Sequence, residues 1–283
     1  MTETLLPQEM EHMIREWTNC ASYKTLDRSK GDDLVTLFEN VVARQPHDTA
    51  ILYDEHSRMS YSDFDEAAAI VAKRLSWIRP NEAFCVYANR SVNWLIAIFG
   101  VLKAGGADTP LDPTAPASVQ HANFTRSGPQ VLLFPSRVDQ VRRLGSSRQQ
   151  KDDADSSNCL ELMVDELLAT GDALVRGRGP AAYPRRRVAR PENLAYICFT
   201  SSSTGVPKAV RCTHKGVVAF QKDRIVRPGA AKAVVVAQVM SPVFDGRIHK
   251  IFSALTYGAA IDWQCPTIKS LHLYTYSKAT MRF

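Results

Sequence analysis

A chain of 283 residues with 45% hydrophobic and 23% charged side chains is long enough for a sizeable core, and its composition excludes fibrous and wholly disordered classes. The formal charge of +6, from 35 basic and 29 acidic residues, has one tight basic cluster at Arg185, Arg186, Arg187 and Arg190; no aromatic residues interleave with it, so a solvated loop is expected and no nucleic-acid partner. The six cysteines form no C-x-x-C pair and have no histidine at metal-ligand spacing, and no run approaches the ~18 apolar residues of a membrane span, so we expect neither disulfide scaffold nor metal centre, no membrane partner, and a soluble cytoplasmic protein.

In chain order, Leu34, Leu37, Phe38 and Val41 recur at helical spacing; Asp33 is placed to cap that helix and Pro46 to close it. An extended piece at 50–54 comes next. Ser62 is predicted to open a second helix with Phe64, Ala68, Val71, Leu75 and Ile78 on its face, and Asp65 stands three residues on, near a capping-box arrangement. A buried strand is predicted at 84–88, then a helix over 91–104 that stops at Gly105, where a residue without Cβ takes the left-handed cap.

Further strands are predicted at 131–134, 160–164, 194–200, 210–212 and 233–239, with a short helix near 165–168. The last periodic segment is a helix over about 244–257 with Ile248, Ile251, Phe252 and Leu255 on one face and Gly258 as its stop. Strands alternating with helices predict an α/β protein with mixed, largely parallel sheets flanked by helices. Between 136 and 190 serine, arginine, aspartate and glycine replace periodic apolar residues, marking a loop-rich insertion.

Chemistry concentrates in LAYICFTSSSTGVPKAV. An apolar strand delivers Thr200, Ser201, Ser202, Ser203, Thr204 and Gly205 in succession, and Lys208 adds a cation three residues later. Hydroxyls, backbone N–H groups and an ammonium on one small volume make a cradle for phosphate. A serine-rich stretch also reads as a flexible linker, but this one comes directly after an apolar strand and closes in Gly-x-Pro-Lys. The Walker pattern, which needs four residues between its glycines and then Lys-Ser or Lys-Thr, is not met.

The segment resembles the phosphate loop of AMP-forming adenylating enzymes, a family that includes acyl-CoA synthetases, luciferases and the adenylation domains of nonribosomal peptide synthetases. Phe199, Thr200, Ser201, Ser203, Thr204, Gly205, Pro207 and Lys208 match, while Ser202 and Ala209 stand where the family pattern has glycine. Three more segments resemble peptide-synthetase adenylation domains in the same order. They are MSYSDFDEAA at 59–68, LKAGGADTPLDP at 102–113, with Asp108 where the family usually has an aromatic residue, and VFDGRIHKIFSALTYGAAI at 243–261. In the last, Arg247 and Lys250 replace the family's serine and glutamate.

By this resemblance the chain is expected to form incomplete N-terminal subdomains of an adenylate-forming enzyme, activating an amino acid or other carboxylic acid with ATP and Mg2+ for transfer to the phosphopantetheine thiol of a carrier domain. Thr200, Ser201, Ser202, Ser203, Thr204, Gly205 and Lys208 would hold the phosphates. Asp245 would pair with the substrate ammonium, and Gly246 and His249 would line its side-chain pocket. Read alone, Asp245 is first of all a plain helix cap and His249 a packed or solvated histidine.

The implied layout is an extension at 1–30, a partial adenylation domain at 31–263 and a non-matching tail at 264–283. The expected motifs for adenine, ribose and the transition-state lysine do not occur after 258. The expectation is therefore a chain inactive by itself, with a non-catalytic nucleotide-binding or interaction remnant as one alternative and an acyl-CoA synthetase-like ligase as another.

Overall fold

Helix α1 (Leu34–Arg44) starts where the sequence places it: the Asp33 carboxylate accepts the Thr36 backbone N–H at 2.8 Å and its hydroxyl at 2.7 Å, satisfying a donor that the first helical turn leaves open. The computed structural model describes residues 33–53, 57–141, 159–170, 189–200, 208–225, 235–238 and 240–262. The chain divides after Gly31; the extension before it and the tail from 264 lie outside the described residues, and every described element belongs to the unit Asp32–Phe283.

Strands β1 (Thr49–Leu52) and β2 (Arg58–Ser60) form an antiparallel pair, and α2 (Tyr61–Arg74) comes after them. The cap of α2 is Ser60, not Ser62. Its hydroxyl accepts the Asp63 N–H at 3.1 Å and donates to the Asp63 carboxylate at 2.7 Å. Asp65 instead pairs with Lys103 at 2.8 Å, and Glu39 meets the same ammonium at 2.6 Å. Burial alone would lower the Lys103 ammonium, but the two carboxylates outweigh it and hold its pKa above the usual lysine value.

Next come β3 (Ala83–Tyr87), α3 (Val92–Ala104), β4 (Ala107–Leu111), α4 (Ala117–Ser127) and β5 (Val131–Phe134). After them stand β6 (Leu160–Met163), α5 (Val164–Thr170), β7 (Leu194–Thr200) and β8 (Lys208–Thr213). Helix α6 (His214–Ile225), β9 (Val235–Ala237), α7 (Gly246–Tyr257) and β10 (Ala260–Asp262) complete the series. Helix α3 ends at Gly105 (φ 86°) and α7 at Gly258 (φ 91°), both as the sequence predicts. Strand β4, with Asp108 and Pro110, and helices α4 and α6 are absent from the sequence-based expectation.

Two sheets result, ordered β2-β1-β10-β9 and β6-β5-β3-β4-β7-β8. All neighbours are parallel except β1/β2 and β7/β8. Side chains alternate across the larger sheet as the pleat requires. Phe84, Val86, Val131 and Leu133 face a core shared with α1, α2, α3 and α7, whereas Cys85, Tyr87, Leu132 and Phe134 pack with Phe124 of α4 on the other face. Burial on both faces is what a parallel sheet needs, and the continuous apolar runs in β3 and β5 are its consequence.

Helices α2 and α3 approach closely because Gly100 carries no side chain: a Cβ there would lie 2.6 Å from Val71 Cβ. Phe99 of α3 is the hub of the aromatic core, with ring centroids 4.7 Å from Phe38, 5.0 Å from Phe64 and 5.6 Å from Phe252.

At the head of α6, His214 is fully buried and its Nδ1 accepts the Leu34 backbone N–H at 3.3 Å. That contact requires a neutral ring. Burial lowers its pKa to about 4, against the opposing pull of Asp33. Since the unfolded chain binds this proton near pH 6.5 and the folded chain only near 4, stability from this group is full above the unfolded value and falls as pH drops between the two. At pH 5 the loss is about 2 kcal/mol. Urea unfolding at pH 7 and pH 5 tests this: the stability lost between them should be about 2 kcal/mol smaller in His214→Gln than in the unsubstituted chain, and equal losses would contradict it.

Candidate adenylation site

The parallel strands β3, β4 and β7 present their carboxyl ends on one side of the sheet, where α/β proteins place their ligands. Strand β7 ends there at Thr200, and β8 returns antiparallel from Lys208, directly opposite Thr200 in the register. The Thr200 hydroxyl donates to the Lys208 carbonyl at 3.5 Å, and both side chains are exposed. Residues 201–207, which include Ser201, Ser202, Ser203, Thr204 and Gly205, lie outside the described residues. Their two ends are held together by the strand pair.

Ala209 lies in β8 opposite Phe199. Among the described residues only Asn81 has a positive φ without being glycine. The backbone at 209 therefore needs no glycine, and the Cβ that distinguishes this chain from the family pattern sits on an exposed strand position.

Asp245 precedes α7 in an αR conformation and makes no side-chain capping hydrogen bond, so the plain helix-cap reading is not realised. Its backbone carbonyl accepts the Ile248 N–H at 2.9 Å, and the residue is exposed. That carboxylate lies close enough to β7 to help raise the pKa of Cys198 and of Tyr196; burial is the larger cause for both, and Cys212 adds to it. Cys198 is two residues from Thr200. Asp245 is thus within electrostatic range of β7, the strand from which the Ser/Thr segment departs, although it is distant from Thr200 in the chain.

Gly246, on the first turn of α7, has the Met240 methyl at 2.6 Å and the Phe244 ring at 3.0 Å from where a Cβ would be. The Met240 carbonyl in turn accepts from Arg90 at 2.7 Å, tying this segment to the loop after β3. The His249 side chain lies outside the described residues.

Sequence reasoning misses one part of the site. Arg247 reaches across to Asp108 of β4, Nη2 to Oδ2 at 2.5 Å, with both side chains 1% exposed. The guanidinium carbon lies 5.5 Å from the centre of the Trp94 ring. Burial pushes the Asp108 carboxyl above the usual carboxylate range against the opposing pull of Arg247. Asp108 is also the register partner of Tyr196, so the pair bridges β4 and α7 beside Asp245. The available signal is that two misfit charges of opposite sign occur within one set of matching segments.

Among the described residues no helix is long and apolar enough to cross a membrane, and no three His, Cys, Asp or Glu side chains group to hold a metal ion.

The pattern of a family described as "AMP-binding enzyme" matches residues 38–272. The nonribosomal peptide synthetase aclP of Aspergillus oryzae is 39% identical over 264 residues, covering 93% of this chain and 15% of aclP. Among solved structures, the nonribosomal peptide synthetase FmoA3 in its AMPPNP-bound form superposes with a TM-score of 0.68 at 21% identity, over 87% of this chain and 24% of that one. The N-terminal subdomain of Klebsiella oxytoca NpsA in complex with 3-hydroxyanthranilyl-AMSN gives 0.65 at 17% identity, over 84% of this chain and 56% of that one. The described fold is therefore that of an adenylation-enzyme N-terminal subdomain, and the chain spans about one-seventh of the length of aclP.

Proposed function

The chain belongs to the AMP-binding enzyme family, and from that membership we propose that it supplies the phosphate-holding and amine-recognising part of an enzyme that activates an amino acid as its acyl-adenylate. In that reaction a substrate carboxylate oxygen attacks the α-phosphorus of ATP, the bond to the bridging oxygen breaks, and pyrophosphate leaves. The chain's contribution is positioning and the stabilisation of charge. Thr200, Ser201, Ser202, Ser203, Thr204, Gly205 and Lys208 hold the β- and γ-phosphates, and Mg2+ would enter with ATP and offset its charge. Asp245 pairs with the α-ammonium, and Gly246 and His249 line the side-chain pocket. The acyl group then passes to the thiol of a carrier domain.

One observation carries the reading: Asp245 is exposed at the start of α7, makes no side-chain capping hydrogen bond, and lies within electrostatic range of Cys198 in β7, the strand that leads to the Ser/Thr segment. A carboxylate so placed rejects acids lacking an amine, because it would be desolvated without a partner. The acyl-CoA synthetase-like alternative gives that carboxylate no task.

Two measurements test the proposal. In ATP–pyrophosphate exchange with a panel of amino acids and their desamino analogues, run on this chain and on a version extended to a complete adenylation unit, we expect exchange from the extended form with an amino acid only. Asp245→Ala should weaken it by about a hundredfold, the worth of a charge-assisted contact. No exchange with any acid would sink the proposal. Titration calorimetry with ATP and Mg2+ addresses the loop: Lys208→Ala should lower affinity at least tenfold, on the order of one charged hydrogen bond. ATP binding without exchange in the extended form would favour the non-catalytic remnant.

A further inference from the structure

Asp108 and Arg247 are two positions at which this chain departs from the pattern its segments otherwise resemble, and the fold brings them into contact across 139 residues of sequence. Either charge alone would be buried without a partner, the arrangement proteins tolerate least. Together they form one contact that joins β4 to the first turn of α7. Asp108 Oδ1 and Arg247 Nη1 find no hydrogen-bond partner among the described residues, and the tie between strand and turn includes the Nη2–Oδ2 contact of this pair.

Arg247 lies two residues after Asp245. At about 100° per residue the two directions differ by about 200°, so a side chain anchored toward the sheet at 247 turns the one at 245 outward. The burial agrees: Arg247 is 1% exposed and Asp245 is exposed. With no capping bond from Asp245, the start of α7 lacks the tether most helices use, and the Trp94 ring closes over the guanidinium on the protein side.

We propose that Asp108 and Arg247 are a matched pair of positioning residues that set the orientation of Asp245, and with it the selectivity of the site for the amine of its substrate. Arg247 acts through the helix turn it belongs to, and Asp108 acts through Arg247. The second step, from orientation to selectivity, rests on Asp245 being the amine-recognising carboxylate; the first does not.

The variants are Arg247→Ser, Asp108→Asn and the double change Asp108→Tyr with Arg247→Ser, which introduces at both positions the residue types of the resembled pattern. Hydrogen exchange measured by mass spectrometry on peptides covering 243–250 of the 283-residue chain reads the turn itself. Each single change should speed exchange there by about tenfold, and the double change should bring it back to within about twofold of the unsubstituted chain. In the extended form, the KM for the amino acid should rise about tenfold or more in either single variant while the KM for ATP stays within about twofold, with recovery in the double.

A double variant no better than the worse single variant overturns the proposal, as does an equal rise in both KM values. If Arg247→Ser does not fold, Asp108→Asn decides alone, because it keeps the side-chain volume and removes only the charge. If the extended form shows no pyrophosphate exchange at all, the assignment of Asp245 fails, whereas the exchange rates at 243–250 still decide whether the pair orients the turn.

Discussion

Arg247→Met is expected to destabilise the chain by about 3–5 kcal/mol, the cost of removing one partner from a buried ion pair. The removed guanidinium leaves Asp108 fully buried, either charged without a counterion or protonated at the expense of binding a proton that the unfolded chain does not hold at neutral pH. Part of the loss also comes from the Trp94 ring, which the guanidinium covers. The companion Asp108→Leu with Arg247→Met removes both charges and should recover most of the loss, to within about 1.5 kcal/mol of the original, since well-packed apolar replacements of buried pairs are near neutral. Urea unfolding monitored by circular dichroism supplies both numbers. A loss under about 1 kcal/mol in the single variant, a scale set by exposed pairs, would mean that water reaches Asp108 and that the pair is not buried in solution.

Phe99→Ala is expected to cost about 3–5 kcal/mol and to lower the thermal midpoint by about 10 °C. The ring touches one aromatic side chain from each of α1, α2 and α7, so its removal opens a cavity at the point where four helices meet. Small shifts cannot close that cavity, because Phe38, Phe64 and Phe252 are each fixed from other sides by the same core. Phe99→Leu fills much of the volume and should cost under about 2 kcal/mol, which separates lost packing from a general intolerance of change at this position.

The elements that can be read from the sequence are those whose signal is local. Asp33, Ser91 and Gly105 announce the ends of α1 and α3 because capping is decided within four residues. Ser62 competes with Ser60 for the start of α2 because both serines precede an acidic residue by three, and only the position of β2 selects between them. Strand β4 is invisible: aspartate, threonine and proline in ADTPL mark turns rather than strands, and the segment becomes a strand only because β3 and β7 lie on either side. Helix α6 shows no apolar stripe; Val217 and Val218 are adjacent rather than three or four apart, and Phe220 is 46% exposed.

The same distinction governs the site. The tie between Thr200 and Lys208 is local to a strand pair and is legible, as is a carboxylate before α7. The pairing of Asp108 with Arg247 is not, since no short-range rule connects residues so far apart. What each departure lacks when read alone is its partner.

The two ends of the described unit are stitched together. Strand β1 pairs with β10, the Tyr61 hydroxyl donates to the Ala259 carbonyl, and the Gln45 amide donates to the Gly258 carbonyl across 213 positions. On a ribosome, the first three elements therefore emerge long before the strand that completes their sheet exists. Phe38, Tyr61 and Phe64 must spend that interval without the cover that α7 later provides. Closing so large a loop is slow because its entropy must be met before the distant contacts form. The sheet that joins the two ends of the unit therefore cannot close until residue 262 has cleared the exit tunnel.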